Sequence, residues 1–404
     1  MPGKYNIWWG PPKKFVTAFE ERKISWLELF YDLVYVIVIS QATHHLAAHN
    51  GLGGMIDFFL LFVMIFWGWV NGSMYYDLHG ITGIRTRFMT LWQMMSVAVL
   101  AVTLNSSHTF INPGNVTALV LLELYITYVW WSVGLYDKSH RKLNLPYTVC
   151  YLIAAFFIIA TLKVGISYQR IFLAIAIVLN FLPPILSTLI LKRQQSNLGL
   201  SSSMVERLGL LTIILFGECI LGIISGMGTL NNLNIHAWVY FVLGILIVFA
   251  LWWLFFALIA DREVKKDTFN WQALTLLYIP ALASLSMIGA AFSDIPVMFD
   301  KNSFPENENG IRNLLGIGFS VFLISISVIA YLLLYPKEYL PQKRKLQLTI
   351  ILSASILLLI TFIFQQIEWV FYLSVVLLIL MSLVILVTRI WFLIELKRSV
   401  TKSK

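Results

Sequence analysis

A carboxylate inside a membrane-length apolar run is expensive to place, and this chain holds several. Glu218 lies in the run that begins near Val205, about 16 to 20 Å along a helix from its start and so close to a bilayer midplane. Glu123 sits well inside an earlier run. Glu28 and Asp32 are one helical turn apart, on one face with Tyr35 and Ile39. Two such carboxylates repel each other unless a proton, a bound cation or a cationic side chain such as Arg22 or Arg207 intervenes. Glu28 has a second role open to it, as the far end of a Ser25-x-x-Glu28 capping box. Asp32 has no such role. Arg207 and Glu218 project from nearly the same face, but eleven residues separate them, about 16 Å, so each requires its own partner. Gly217, Gly222 and Gly226 around Glu218 would let another helix come close. The chemistry open to this set is proton exchange, cation binding or charge pairing. The candidates are Glu218, expected to be the central group, with Asp32, Glu28, Glu123, Glu206 and Arg207; Glu123 and Glu218 would share a site if two halves faced a common cavity.

Other chemistries find little footing. His44, His45 and His49 could be read as a metal site, but the ligand set is too small and the other histidines are scattered. Solvated histidines at a membrane surface are the better account. Cys150 and Cys219 both fall inside apolar runs and read as small buried side chains. The chain has no Gly-rich phosphate loop, nucleophile elbow or cofactor-binding fingerprint.

The elements that must position these groups are helices in a bilayer. Of 404 residues, 59% are hydrophobic and only 12% charged, and the mean hydropathy is +0.80; a soluble domain carries about a quarter charged residues. Twelve apolar stretches follow one another: 26–47, 55–77, 88–106, 115–136, 146–163, 168–191, 205–226, 236–260, 271–292, 311–335, 345–364 and 368–393. The first lacks a cleavage signature and carries Glu28 and Asp32, so it is expected to remain as a helix. The net charge of +9 does not indicate nucleic acid. With the N-terminus inside, 23 of the 29 Lys and Arg residues fall in inside segments, against Lys163, Arg170, Lys301 and Arg312 outside. This asymmetry predicts both termini in the cytoplasm, an even helix count, and basic segments facing anionic lipid. The segment from Ser293 to Gly310 is then the longest outside loop.

The order of elements suggests an internal repeat. Ser25-Trp26-Leu27-Glu28 and Ser203-Met204-Val205-Glu206 both read as capping boxes, and Trp92-Gln93 and Trp271-Gln272 open corresponding runs. The expectation is an all-α polytopic membrane protein with a parallel 6+6 repeat. Its parts are a cytoplasmic segment 1–25, a six-helix repeat 26–191, a linker 192–204, a second repeat 205–393 and a basic tail 394–404. Asn71-Gly72-Ser73, and Asn180 with Pro183-Pro184, read as helix interruptions, while Pro280 reads as a kink.

Two motifs carry a family resemblance. Ser25-Trp26-Leu27-Glu28-Leu29-Phe30-Tyr31-Asp32-Leu33-Val34-Tyr35-Val36, with Gln41 and His44-His45-Leu46, resembles the opening motif of the bacterial low-temperature-requirement A family. Val205-Glu206-Arg207-Leu208-Gly209-Leu210 through Gly217-Glu218, with Trp252-Trp253 beyond, is similar to that family's Glu-Arg and Gly-Glu pair. Cys219 stands where Ser would be expected. The resemblance implies a bacterial cell-membrane protein linked by name to growth in the cold, and it brings neither a substrate nor a reaction. Buried carboxylates in twelve helices favour a secondary transporter or ion-coupled carrier, taking a proton or monovalent cation with a small solute. A lipid-modifying membrane enzyme and a sensor or scaffold are the alternatives.

Overall fold

The computed structural model describes residues 24–80, 83–106, 109–136, 141–190, 201–230, 233–260, 262–265, 268–296, 308–335, 340–363 and 367–402. Arg22 and most of the N-terminal segment, residues 192–200 of the linker and residues 297–307 of the Ser293–Gly310 loop lie outside them. The described residues form twelve α-helices: α1 Trp26–Ala48, α2 Leu52–His79, α3 Ile84–Asn105, α4 Pro113–Tyr136, α5 Arg141–Ala160, α6 Ile166–Ile190, α7 Ser202–Gly228, α8 Ile235–Leu258, α9 Thr268–Asp294, α10 Glu308–Leu332, α11 Leu340–Ile363 and α12 Ile367–Lys402. Eleven are long and apolar enough to cross a bilayer, and α12 contributes the apolar stretch Phe371–Val387. Helices are the natural outcome, because hydrocarbon offers a backbone no partner other than itself.

The interior is largely apolar, and the outer surface also carries many large apolar side chains. On α1, Trp26, Phe30, Leu33 and Ile37 recur at helical spacing and are all more than half exposed, while Glu28 and Asp32 are buried. On this helix a row of large apolar groups faces outward and the two carboxylates face protein. Buried hydroxyls commonly bond back one turn, as Thr43 does to the Ile39 carbonyl and Thr127 to that of Glu123.

The chain divides into two compact units, one of residues 1–45 and 53–211, the other of 46–52 and 212–404. The first contains α1 to α6 and the start of α7. The second contains the rest of α7 and α8 to α12, with close packing of α9 on α10 and α10 on α11. In the second unit a Cβ at Gly222 would overlap the Gly289 carbonyl, so the absent side chain is what lets α7 and α9 approach.

Two local expectations are corrected. Asn71-Gly72-Ser73 does not interrupt α2, and Asn180 with Pro183-Pro184 does not interrupt α6; both helices run through. At the start of α7 the cap is Ser201, whose Oγ accepts from Met204 N at 3.1 Å, and Ser203 instead donates to Asp77 Oδ1 at 2.7 Å. The Ser203-x-x-Glu206 pattern is therefore not the counterpart of the Ser25 box, which forms reciprocally: Glu28 Oε2 accepts from Ser25 N at 2.9 Å and Ser25 Oγ from Glu28 N at 3.3 Å.

Candidate functional site

Asp32 finds its partner in the first unit. Arg207 donates through Nη2 to Asp32 Oδ1 at 2.5 Å and through Nε to Oδ2 at 3.2 Å, a two-pronged grip. Its Nη1 reaches Glu28 Oε1 at 3.5 Å. Trp69 Nε1 from α2 donates to Asp32 Oδ1 at 2.7 Å. Glu28, Asp32 and Arg207 are each 2% exposed or less, so these charges interact with little screening by water. The guanidinium carbon also lies 5.4 Å from the Tyr31 ring centre and 5.5 Å from that of Trp69, distances at which aromatic faces stabilise a cation. Of the partners weighed for the helix 1 carboxylates, the arginine 175 residues away is the one Asp32 takes.

Beside this cluster α2 is built to receive polar side chains. Gln93 Nε2 from α3 lies 2.8 Å from the Tyr31 hydroxyl, 2.7 Å from that of Tyr35 and 2.8 Å from the Gly68 carbonyl. A Cβ at Gly72 would overlap the Gln93 amide and the Tyr31 hydroxyl. The residues that read as a break thus form a slot in an intact helix. Next to it is a narrow pocket lined by Glu28, Tyr31, Gly72, Tyr76, Gln93, Tyr125 and Arg207 among others.

A second polar centre lies deeper. Glu123, eleventh of the 24 residues of α4, is 1% exposed. Asn180 Nδ2 from α6 approaches Glu123 Oε2 at 3.4 Å, and Asn180 Oδ1 accepts from Trp67 Nε1 at 3.1 Å. Asn71 Oδ1 accepts from Trp130 Nε1 at 3.0 Å and Tyr151 Oη at 3.1 Å. Glu123 Oε1 is buried with no hydrogen-bond partner among the described residues. Toward the other end of α2 is a narrow, largely apolar pocket lined by Asp57, Leu61, Phe110, Val116, Leu119 and Leu173 among others. Asp57 there pairs with Arg170 through two bonds of 2.7 and 2.9 Å.

The remaining candidates are placed as follows. Glu218 is 6% exposed in the second-unit part of α7, next to Cys219, whose thiol donates to the Leu285 carbonyl at 3.2 Å. Glu206 is exposed. His44 and His49 are exposed, but His45 is buried with its ring 4.0 Å from that of Phe110, which corrects the picture of three solvated histidines. The described residues contain no cluster of His, Cys, Asp and Glu able to hold a metal ion. Trp69, Gln93, Asn71 and Asn180 were not singled out as site residues by sequence. The available signal was polarity alone: an amide inside a membrane-length run needs a partner as a carboxylate does.

No curated protein and no solved structure is detectably similar to the chain. A profile of the bacterial low temperature requirement A protein matches residues 23–390, nearly the whole chain, including both motifs and every carboxylate discussed above. This multi-pass membrane protein belongs to the bacterial low temperature requirement A (LtrA) family.

Proposed function

We propose that the protein is a secondary transporter or ion-coupled carrier of the bacterial cell membrane, with Glu123 as the carboxyl that takes up a proton or monovalent cation. The observation that carries this reading is the placement of Glu123 between two pockets of one unit. Along α2 the order is Asp57 and Leu61 at one pocket, then Trp67 at the Glu123 centre, then Gly72 and Tyr76 at the other pocket. Along α4 it is Val116 and Leu119, then Glu123, then Tyr125. Leu61 and Gly72 are about 16 Å apart on the helix. A carboxyl inside the helices with a pocket on either side of it along α2 is an arrangement that alternating access could use. An ionised carboxylate at that depth is costly, and a proton or small cation on Oε1 offsets the cost.

Glu28, Asp32 and Arg207 line or flank one pocket, and in this reading they hold its wall and present charge to a polar solute. Glu218 is proposed as a further carboxyl of the second unit. Both termini lie in the cytoplasm, and the family's name ties the activity to growth in the cold. The test is reconstitution into proteoliposomes with proton, sodium and potassium gradients applied in turn. Glu123→Gln should keep the fold and abolish gradient-driven flux. Full flux in that variant would remove Glu123 from the mechanism, and no flux under any gradient would remove the carrier reading.

A further inference from the structure

At one end of the second unit, where α8, α10 and α11 terminate or begin, three cations meet two tyrosines. The chain after α8 pairs with the end of α10 as a short antiparallel bridge, Val264 opposite Leu333. Leu334 N donates to the Glu263 carbonyl at 2.8 Å and Lys265 N to that of Leu332 at 3.0 Å. The Tyr335 hydroxyl donates to the Leu258 carbonyl at 2.6 Å. These bonds fix the Tyr335 ring, and two cations share it: the Arg262 guanidinium carbon is 4.9 Å from its centre and Lys343 Nζ 4.2 Å. Lys265 Nζ lies 4.4 Å from the centre of the Tyr331 ring.

Lys343 is what makes this more than a basic rim. It is 94% buried, at 6% exposure, near the start of α11. A buried ammonium is costly without an anion, yet the described contacts give Lys343 and Arg262 no carboxylate, only the tyrosine face. Glu263, the carboxylate among the described residues 262–265, is exposed. Like charges brought to one ring repel, and an aromatic face returns only about 0.5 to 2 kcal/mol per cation. Among the described residues no carboxylate offsets the two charges that share the Tyr335 ring.

We infer that Arg262, Lys265 and Lys343, gathered on Tyr331 and Tyr335, form a site for the phosphate of an anionic phospholipid headgroup. Phosphate is suited because it accepts from several donors at once, and Arg262 offers the fork geometry that phosphate takes in two bonds. The position is suited because the site lies where helices end and the chain leaves the bilayer, at headgroup level. By the distribution of basic residues this end faces the cytoplasm, where anionic headgroups attract such clusters. The inference does not depend on the carrier reading.

The test uses the purified full chain in a neutral detergent, titrated with short-chain phosphatidylglycerol, short-chain phosphatidylcholine or inorganic phosphate, with thermal stability and direct binding as readouts. Phosphatidylglycerol should bind and raise the unfolding temperature, and phosphatidylcholine should not. At about 1 kcal/mol per cation near a surface, Arg262→Gln and Lys343→Gln should each weaken binding about fivefold. Arg344→Gln removes an exposed cation from the next position on α11 and should change binding little. Each variant is checked for unchanged lipid-free stability, and Lys265→Gln serves as the third if Lys343→Gln unfolds. Equal losses in all variants, Arg344→Gln included, would show diffuse surface attraction and overturn the site. Inorganic phosphate binding as tightly as the lipid, with the same variant losses, would overturn the lipid as occupant, and no binding would overturn both.

Discussion

The contact between Arg207 and the helix 1 carboxylates makes the most demanding prediction. Replacing Arg207 with Gln removes two bonds to Asp32 and one approach to Glu28, leaving two buried carboxylates one turn apart. Two scales bound the cost. Removing one partner of a buried ion pair in a soluble protein costs about 3 to 5 kcal/mol. Single polar contacts between membrane helices average about 0.6 kcal/mol, because the unfolded chain in the membrane also finds partners. Three such contacts give a floor of about 2 kcal/mol, so Arg207→Gln should cost about 2 to 5 kcal/mol. Asp32→Asn should cost less, about 1 to 2 kcal/mol, because the Asn oxygen still accepts from Trp69, the Ser25 capping box is untouched and a like-charge repulsion is relieved. The double variant should be better than the sum by about 1 to 3 kcal/mol, the coupling expected of groups in direct contact. Denaturing-detergent titration of the protein in mixed micelles, followed by tryptophan fluorescence, reads all four corners of the cycle. If Arg207→Gln lies within about 0.5 kcal/mol of the parent, the range of an unremarkable surface substitution, or if the two changes add strictly, the guanidinium is not what holds these carboxylates. Asp32→Asn should nonetheless lose flux while reaching the membrane in normal amount, since its carboxylate holds Arg207, which lines the pocket.

Gly72→Ala sets a methyl against Gln93 and Tyr31 and should destabilise the first unit by about 1 to 3 kcal/mol, measured by the same titration; a neutral result would mean that Gln93 can leave its slot freely. Gly222→Ala sets a methyl against the Gly289 carbonyl, a backbone atom that cannot turn aside, and should cost at least as much; equal stability would show that α7 and α9 separate without penalty. Glu218→Gln should keep the fold and lose coupled flux, while Glu218→Leu should lose flux with stability unchanged or improved; full activity in both would make Glu218 a packing residue. Since Cys150 and Cys219 are buried, a cysteine at Asn302 should react with an impermeant reagent in intact cells and one at Ser403 only after permeabilisation, and the reverse would invert the topology.

The helices were legible in the sequence because eleven of the twelve described are predominantly apolar runs of membrane length, a signal that survives without any knowledge of neighbours. Half of the Arg207 cluster was legible for the same reason, since charges in such runs must pair and few are present. Its other half was not. Trp69 and Gln93 reach the site from helices 37 and 58 residues away from their helix 1 partners, and nothing local distinguishes them from interfacial aromatics or a helix start. The misreading of Asn71-Gly72-Ser73 has a physical cause. Turn chemistry works by offering the backbone an alternative partner, but in hydrocarbon a freed carbonyl has nowhere better to go, and the helix persists. The small residues then act through what they lack, as room for a neighbour's amide. The Ser203 box failed because Ser201, two residues earlier, takes the capping bond, and the Ser203 hydroxyl is committed to Asp77.

One helix ties the two polar centres together. Successive carbonyls of α2 each take a side-chain bond in addition to their place in the helix: Trp67 from Asn71, Gly68 from Gln93 and Tyr31, Trp69 from Tyr31. A carbonyl oxygen has a second lone pair for this purpose, and Gly68 and Gly72 leave the backbone open to receive it. The two indoles of α2 then point apart, because residues two positions apart in a helix are separated by about 200°. Trp69 donates to Asp32, and Trp67 donates to Asn180, which in turn supports Glu123. The Arg207 cluster and the Glu123 carboxyl are therefore held from opposite sides of a single rigid element. A rotation of α2 large enough to draw Trp69 away from Asp32 must also move Trp67 against Asn180. Trp69→Phe, which deletes the Asp32 bond and keeps an aromatic ring, should on this geometry alter the flux that depends on Glu123, although Trp69 does not touch it. Unchanged flux and unchanged cation selectivity in Trp69→Phe would show that the two centres work separately.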